Sequence, residues 1–131
     1  MAEGQESKTM KAPTSVRIGP FDYEVRWMDR LEENDMKAFG ICNSTEQVIR
    51  ICSIYKRQRV AVSFLHEILH TLGLVYGVPE DDEKKVKEED AVAGHALGLT
   101  AFWRDNPDVA QWWQDLVWND PTGPFTRGIA E

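Results

Sequence analysis

The chain has 131 residues and a formal net charge of −7, from 22 acidic and 15 basic residues. With 42% hydrophobic and 28% charged residues it has the make-up of one soluble globular domain, large enough to bury a core and too small for two. No apolar run approaches the roughly 18 residues of a membrane span, and an acidic balance concentrated between Glu80 and Asp90 excludes electrostatic binding of nucleic acid, which needs a basic stripe.

The opening residues 1–13, MAEGQESKTMKAP, are polar and have no apolar centre, which predicts a flexible arm and neither a secretory signal nor an anchor. From Thr14 to Met28 apolar and polar residues alternate, through Val16, Ile18, Phe21, Tyr23, Val25 and Trp27. Gly19-Pro20 interrupts the alternation, so two short strands joined by a tight turn are expected. Arg30 to Lys37 is polar and reads as a loop or a short helical turn. Phe39–Cys42 and Val48–Cys52 then flank Asn43-Ser44-Thr45-Glu46, a hairpin pattern with good turn chemistry. The two cysteines, Cys42 and Cys52, form no CxxC clip and read as small buried thiols of a reducing compartment, the cytoplasm.

Residues 57–76, RQRVAVSFLHEILHTLGLVY, contain no proline and carry apolar side chains nearly all round a helix, which predicts a helix buried on most sides. Gly77 and Pro79 stop it. A second helix is expected from about Asp82 or Lys87 to Trp103, and a third from Pro107 to Trp118, with an irregular tail over 119–131. Strands first and helices second imply an α+β domain over 14–118. Its small antiparallel sheet of three to four strands would be packed on one face by the helices.

One motif on this layout carries chemistry. His66-Glu67-Ile68-Leu69-His70 is H-E-x-x-H, and positions i and i+4 lie on one helical face, so both imidazoles can reach a single zinc ion. Glu67 is rotated by about 100° from His66 and can lie beside the metal as general base for a bound water. Against two histidines merely packed on a helix stands the cost of an acid inside so apolar a segment, several kcal/mol unless it is partnered or used. Gly73 adds a further sign of close backbone approach. A third ligand is needed. The H-E-x-x-H-x-x-G-x-x-H pattern begins here but ends on Tyr76, which reads as a packed tyrosine. The search therefore moves to the next helix and to Glu88, Glu89, Asp90 and His95. Glu89 shares a face with Val92, Ala93 and Ala96, a small apolar stripe suited to packing on the first helix, and is favoured. Glu88 shares a face with His95.

Taken together these residues resemble the gluzincin-type metallopeptidases in their minimal form, nearest to short phage and mobile-element proteins related to the ImmA/IrrE group. The resemblance spans about 16–113 and rests on VRIGPFDYEV, FGICNSTEQVIRI, LHEILHTLG, EEDAVAGHALGL and FWRDNPDV. It implies a zincin-like fold, His66, His70 and Glu89 as zinc ligands, and Glu67 as general base. It also implies a peptide substrate laid along a sheet edge, for which one strand of the 39–52 hairpin is the candidate. Ala93 and Leu97 stand where the family often has an acid and an asparagine, which weakens the inference of turnover more than that of metal binding.

Four of the five tryptophans, Trp103, Trp112, Trp113 and Trp118, follow residue 100. Packing of the last helix through Trp112 and Trp103 accounts for part of them. Adjacent Trp112 and Trp113 cannot easily both point inward, which leaves a docking face for a partner protein as the functional alternative. The reading that follows is a cytoplasmic zinc-dependent peptidase acting on a protein or peptide. Its alternative is a non-catalytic zinc-binding interaction module that keeps the fold and acts as adaptor or inhibitor.

Overall fold

Alternating residues form the strands, in a computed structural model that describes residues 10–77 and 88–128, with side chains for 10–77 and 90–128. In chain order the elements are β1 (Ser15–Ile18), β2 (Phe21–Met28), β3 (Glu32–Glu33), β4 (Met36–Lys37), β5 (Gly40–Asn43), β6 (Val48–Cys52), α1 (Arg57–Val75), α2 (Glu88–Asp105) and α3 (Pro107–Trp118). The chain is thus α+β, with strands before helices. The helices meet the sheet on the face that buries Ile18, Val25, Trp27, Ile49 and Ile51. Arg17, Asp22, Glu24 and Arg26 are exposed, two of them paired across the β1–β2 hairpin and two along β2.

The sheet is mixed and not antiparallel as expected. Its order is β1-β2-β6-β5, and β2 pairs with β6 in parallel while the two outer pairs are antiparallel. The chain leaves β2 at Met28 and re-enters the sheet at β5, two strand positions away. β6 then turns back into the gap and so runs alongside β2. Local patterning specifies which strands form a hairpin but carries no signal on where that hairpin docks.

The polar stretch 30–37 is also different from expectation. It forms the two-stranded ribbon β3–β4, closed by Asn34 and Asp35 with φ of 56° and 64°. A two-residue turn with both central residues in the left-handed region is the type I′ hairpin turn, and Asn and Asp tolerate that region best after glycine.

The described parts of both chain ends fasten to this frame. Ala12 is buried and donates its N–H to the Arg127 carbonyl, while Trp27 Nε1 donates to Pro13 O. Lys56 caps α1 with no side-chain bond, and the first turn of α1 is capped from the tail instead. Arg57 N–H donates to Gly123 O and Gln58 N–H to Pro121 O, at 3.0 and 2.8 Å. The tail residues 119–128 are irregular, as expected, yet Phe125 packs into the core with its ring 5.2 Å from Trp27.

The aromatic core joins all layers. Phe64 of α1 lies 5.1 Å from Trp112 of α3, and Trp27 of β2 lies 5.6 Å from Trp112. Trp113 is accommodated beside its neighbour at the seam of α1 and α3, its indole N–H donating to Ala61 O at 2.9 Å. Trp118 alone among the five is largely exposed, at 73%.

Candidate metal centre

α1 presents the motif. His66 is exposed, His70 half-buried and Glu67 buried at 7% exposure, all within one continuous helix. The two imidazoles face each other edge to face, with ring centroids 4.6 Å apart, and their Nε2 atoms are 3.0 Å apart. Two nitrogen donors on one tetrahedral zinc sit about 3.3 Å apart, from bond lengths of about 2.0–2.1 Å. At this distance one ring N–H donates to the other ring nitrogen, the tautomers setting the direction, and the spacing is close to that of two donors on a shared ion; the donor set suits zinc.

Glu67 is held by what faces it. β5 runs alongside α1, and at Gly40 a Cβ would stand 2.8 Å from Glu67 Cγ and 3.1 Å from Glu67 Oε2. Only glycine leaves that carboxylate its place. Thr71 Oγ1 donates to Glu67 O at 2.9 Å, and Cys42 Sγ lies 3.0 Å from Thr71 Oγ1. Tyr23 is buried on β2, and its phenol is pushed above its ordinary range by burial first and by the charge of Cys42 second.

His66, Glu67, His70, Gly40 and Cys42 line a cavity of about 310 Å³ whose rim includes Glu33 from β3 and Leu74 from α1. Sequence reasoning found its histidines and Glu67 and missed Gly40, Cys42 and Glu33. A glycine inside the apolar run Phe39–Cys42 is a signal of close backbone approach and marks Gly40. Nothing local marks Glu33, which the ribbon β3–β4 brings in.

The packing face of α2 is where expectation and structure part. The stripe Val92, Ala93 and Ala96, expected to pack on α1, is exposed, Val92 at 57%. α2 meets α1 through Gly98, where a Cβ would lie 3.0 Å from Tyr76 Cδ2 and 3.4 Å from Leu72 Cδ2. Tyr76 thereby packs as a tyrosine against the second helix. Positions 88, 91, 95, 98 and 102 follow one another at steps of three and four residues and so share the line of α2 that carries Gly98 and the buried Phe102. Position 89 falls with the exposed stripe. The side chains of Glu88 and Glu89 lie outside the described residues. Among the described residues no three of His, Cys, Asp or Glu come together as a metal cage.

Among the described residues no helix is long and apolar enough to cross a membrane. No protein-family model matches the chain, and neither the curated proteins nor the solved structures contain a match to it.

Proposed function

We propose that this protein is a zinc-dependent peptidase of the minimal gluzincin type, of phage or mobile-element kind, working on a protein or peptide in the cytoplasm. The observation that carries the reading is the convergence of His66 Nε2 and His70 Nε2 at 3.0 Å, directly beside a buried Glu67 for which β5 makes room with Gly40. His66 and His70 hold the ion, and a carboxylate from the first turn of α2 completes the set. The resemblance gives that role to Glu89, and the register of α2 favours Glu88. A zinc ion there supplies Lewis acidity and lowers the pKa of water toward about 7. Glu67 moves the proton, taking it from the attacking water and delivering it to the departing amide nitrogen.

The substrate backbone lies along β5. Of the two sheet edges, β1 is covered at Arg17, whose N–H and C=O are both bonded by the Asn106 side chain, at 2.9 and 2.8 Å. β5 is the other edge and walls the cavity. Cys52 N–H donates to Phe39 O, and the alternation of antiparallel pairing then turns the backbone groups of Gly40 away from β6 toward a peptide that would add as a strand.

Zinc content and cleavage test the reading together. Wild type and Glu67→Gln are expected to bind about one zinc each, and only wild type to cleave a broad peptide mixture. His66→Ala should bind none. Of Glu88→Gln and Glu89→Gln, the one that loses the metal identifies the third donor. Zinc in both wild type and Glu67→Gln with cleavage by neither would establish the non-catalytic module in place of the peptidase. An unchanged zinc content in His66→Ala would end both.

A further inference from the structure

A second opening of about 760 Å³ lies beyond Phe39, between the start of α1 and the end of β6. That volume is in the range of sites that take a whole ligand group. Its walls are apolar and exposed, with Phe39 at 45%, Ile54 at 62% and Val62 at 55%, and Tyr55 edge-on to Phe39 at 5.0 Å. A smaller cavity of about 290 Å³ shares Phe39, Arg59 and Val62 with this opening and Gly40, His66 and Glu67 with the candidate metal centre. The three form one groove between β5 and α1. Along α1 its floor is the i, i+4 line Gln58, Val62, His66, His70 and Leu74.

The charge in the apolar end is distinctive. Lys56 and Arg59 both line it, in a chain of net charge −7. The Arg59 guanidinium sits over the Phe39 ring at 4.6 Å, and among the described residues no carboxylate pairs with either cation. An apolar pocket rimmed by two such cations is complementary to an apolar group with an acid beside it.

Orientation follows from the strand. Gly40 faces Glu67 and Cys42 reaches Thr71, so β5 runs in the same sense as α1 and its start lies at the Arg59 end. An added strand pairs more stably antiparallel than parallel. A peptide antiparallel to β5 passes its C-terminal half toward Phe39 and Arg59.

We infer that this pocket is the specificity subsite of the groove: it takes a large apolar side chain on the C-terminal side of the scissile bond, with an Asp or Glu adjacent to it held by Arg59 and Lys56. The assignment to substrate rests on the peptidase reading; the ligand chemistry of the pocket stands on its own geometry.

The test uses random-sequence peptides in two arms. In the binding arm, Glu67→Gln protein is expected to enrich peptides carrying a large apolar residue next to Asp or Glu. Adding Arg59→Glu should abolish the acidic preference while keeping the apolar one, with affinity for the enriched peptides falling about two- to fivefold, the worth of an exposed ion pair. Arg59 is exposed in the first turn of α1, where an acid suits the helix dipole, so this variant should fold. Adding Phe39→Ala should weaken the apolar preference. No enrichment, or the same enrichment in all variants, overturns the inference. In the cleavage arm, wild type should cut these peptides on the N-terminal side of the apolar residue; cuts on its other side overturn the orientation. Enrichment as expected with no cleavage leaves the pocket standing and removes the peptidase reading.

Discussion

At Gly40 a missing side chain decides where a charged one can sit. A Cβ there would come within 2.8 Å of Glu67 Cγ and 3.2 Å of Ile51 Cδ1, and both neighbours are buried. Neither the helix carrying Glu67 nor the strand carrying Ile51 can retreat without disturbing the core. Gly40→Ala should therefore move the Glu67 carboxylate and leave the two imidazoles where they are. The expected result is loss of about 1–3 kcal/mol of stability, as for other overpacked cores, with cleavage lost and zinc content kept. Chemical denaturation and metal analysis of the same sample would check both halves. Cleavage at the wild-type rate would mean that Glu67 can act from elsewhere. At this scale the sequence was most informative where periodicity spoke, because H-E-x-x-H defines its own geometry on any helix. It was least informative for Glu33 and Cys42, which reach the cavity only through long-range chain routing.

Elements depend on partners far along the chain. α1 has no acidic residue in its first turn and no side-chain cap, so its start is stabilised by the tail and by Arg57. The Arg57 guanidinium is buried and bonds Asn119 O, Asp115 O and Asp115 Oδ2 at 3.0, 2.9 and 2.8 Å. One side chain thus ties the first turn of the motif helix to the last turn of α3. Arg57→Ala would leave Asp115, itself partly solvated, without its cation but still bonded by Asn119 Nδ2, and would free the Asn119 carbonyl. A cost of about 2–3 kcal/mol is expected, less than for a fully buried pair because water can reach the acid and Asn119 still donates to it. A denaturation midpoint unchanged from wild type would show that the tail alone suffices as the cap. The three helices were legible from their periodicity and breakers, within a few residues at each described end. The parallel pairing of β2 and β6 and the β3–β4 ribbon were not. Strand neighbours across β2 and β6 are 24 residues apart in the chain, and Asn34-Asp35 is a weaker turn signal than Asn-Gly. The face of α2 was misjudged for a related reason. Val92, Ala93 and Ala96 look like a packing stripe, but Gly98 permits the closest approach to α1 and sets the rotation of the helix.

The whole molecule can hold its fold without the ion. Phe64, Trp27, Trp112 and Phe125 form a continuous aromatic cluster on the core side of α1, whereas His66 and His70 lie on the cavity side and are exposed or half-buried. A domain stapled by zinc unfolds when the metal is removed; here the ion would add to a core that is already closed. Chelation should therefore lower the melting temperature without abolishing the cooperative transition or the near-ultraviolet signal of the packed tryptophans. With free zinc at a hundred times its dissociation constant, mass action adds about 2.7 kcal/mol, which for a domain of this size is roughly 10 °C. His66→Ala removes a proposed ligand and no core contact, so its melting temperature should equal that of chelated wild type and ignore added zinc. The comparison separates a bound ion from a structural one. Loss of the tryptophan signal on chelation would move the metal into the architecture of the fold, and a His66→Ala protein still stabilised by zinc would place the ion somewhere other than on α1.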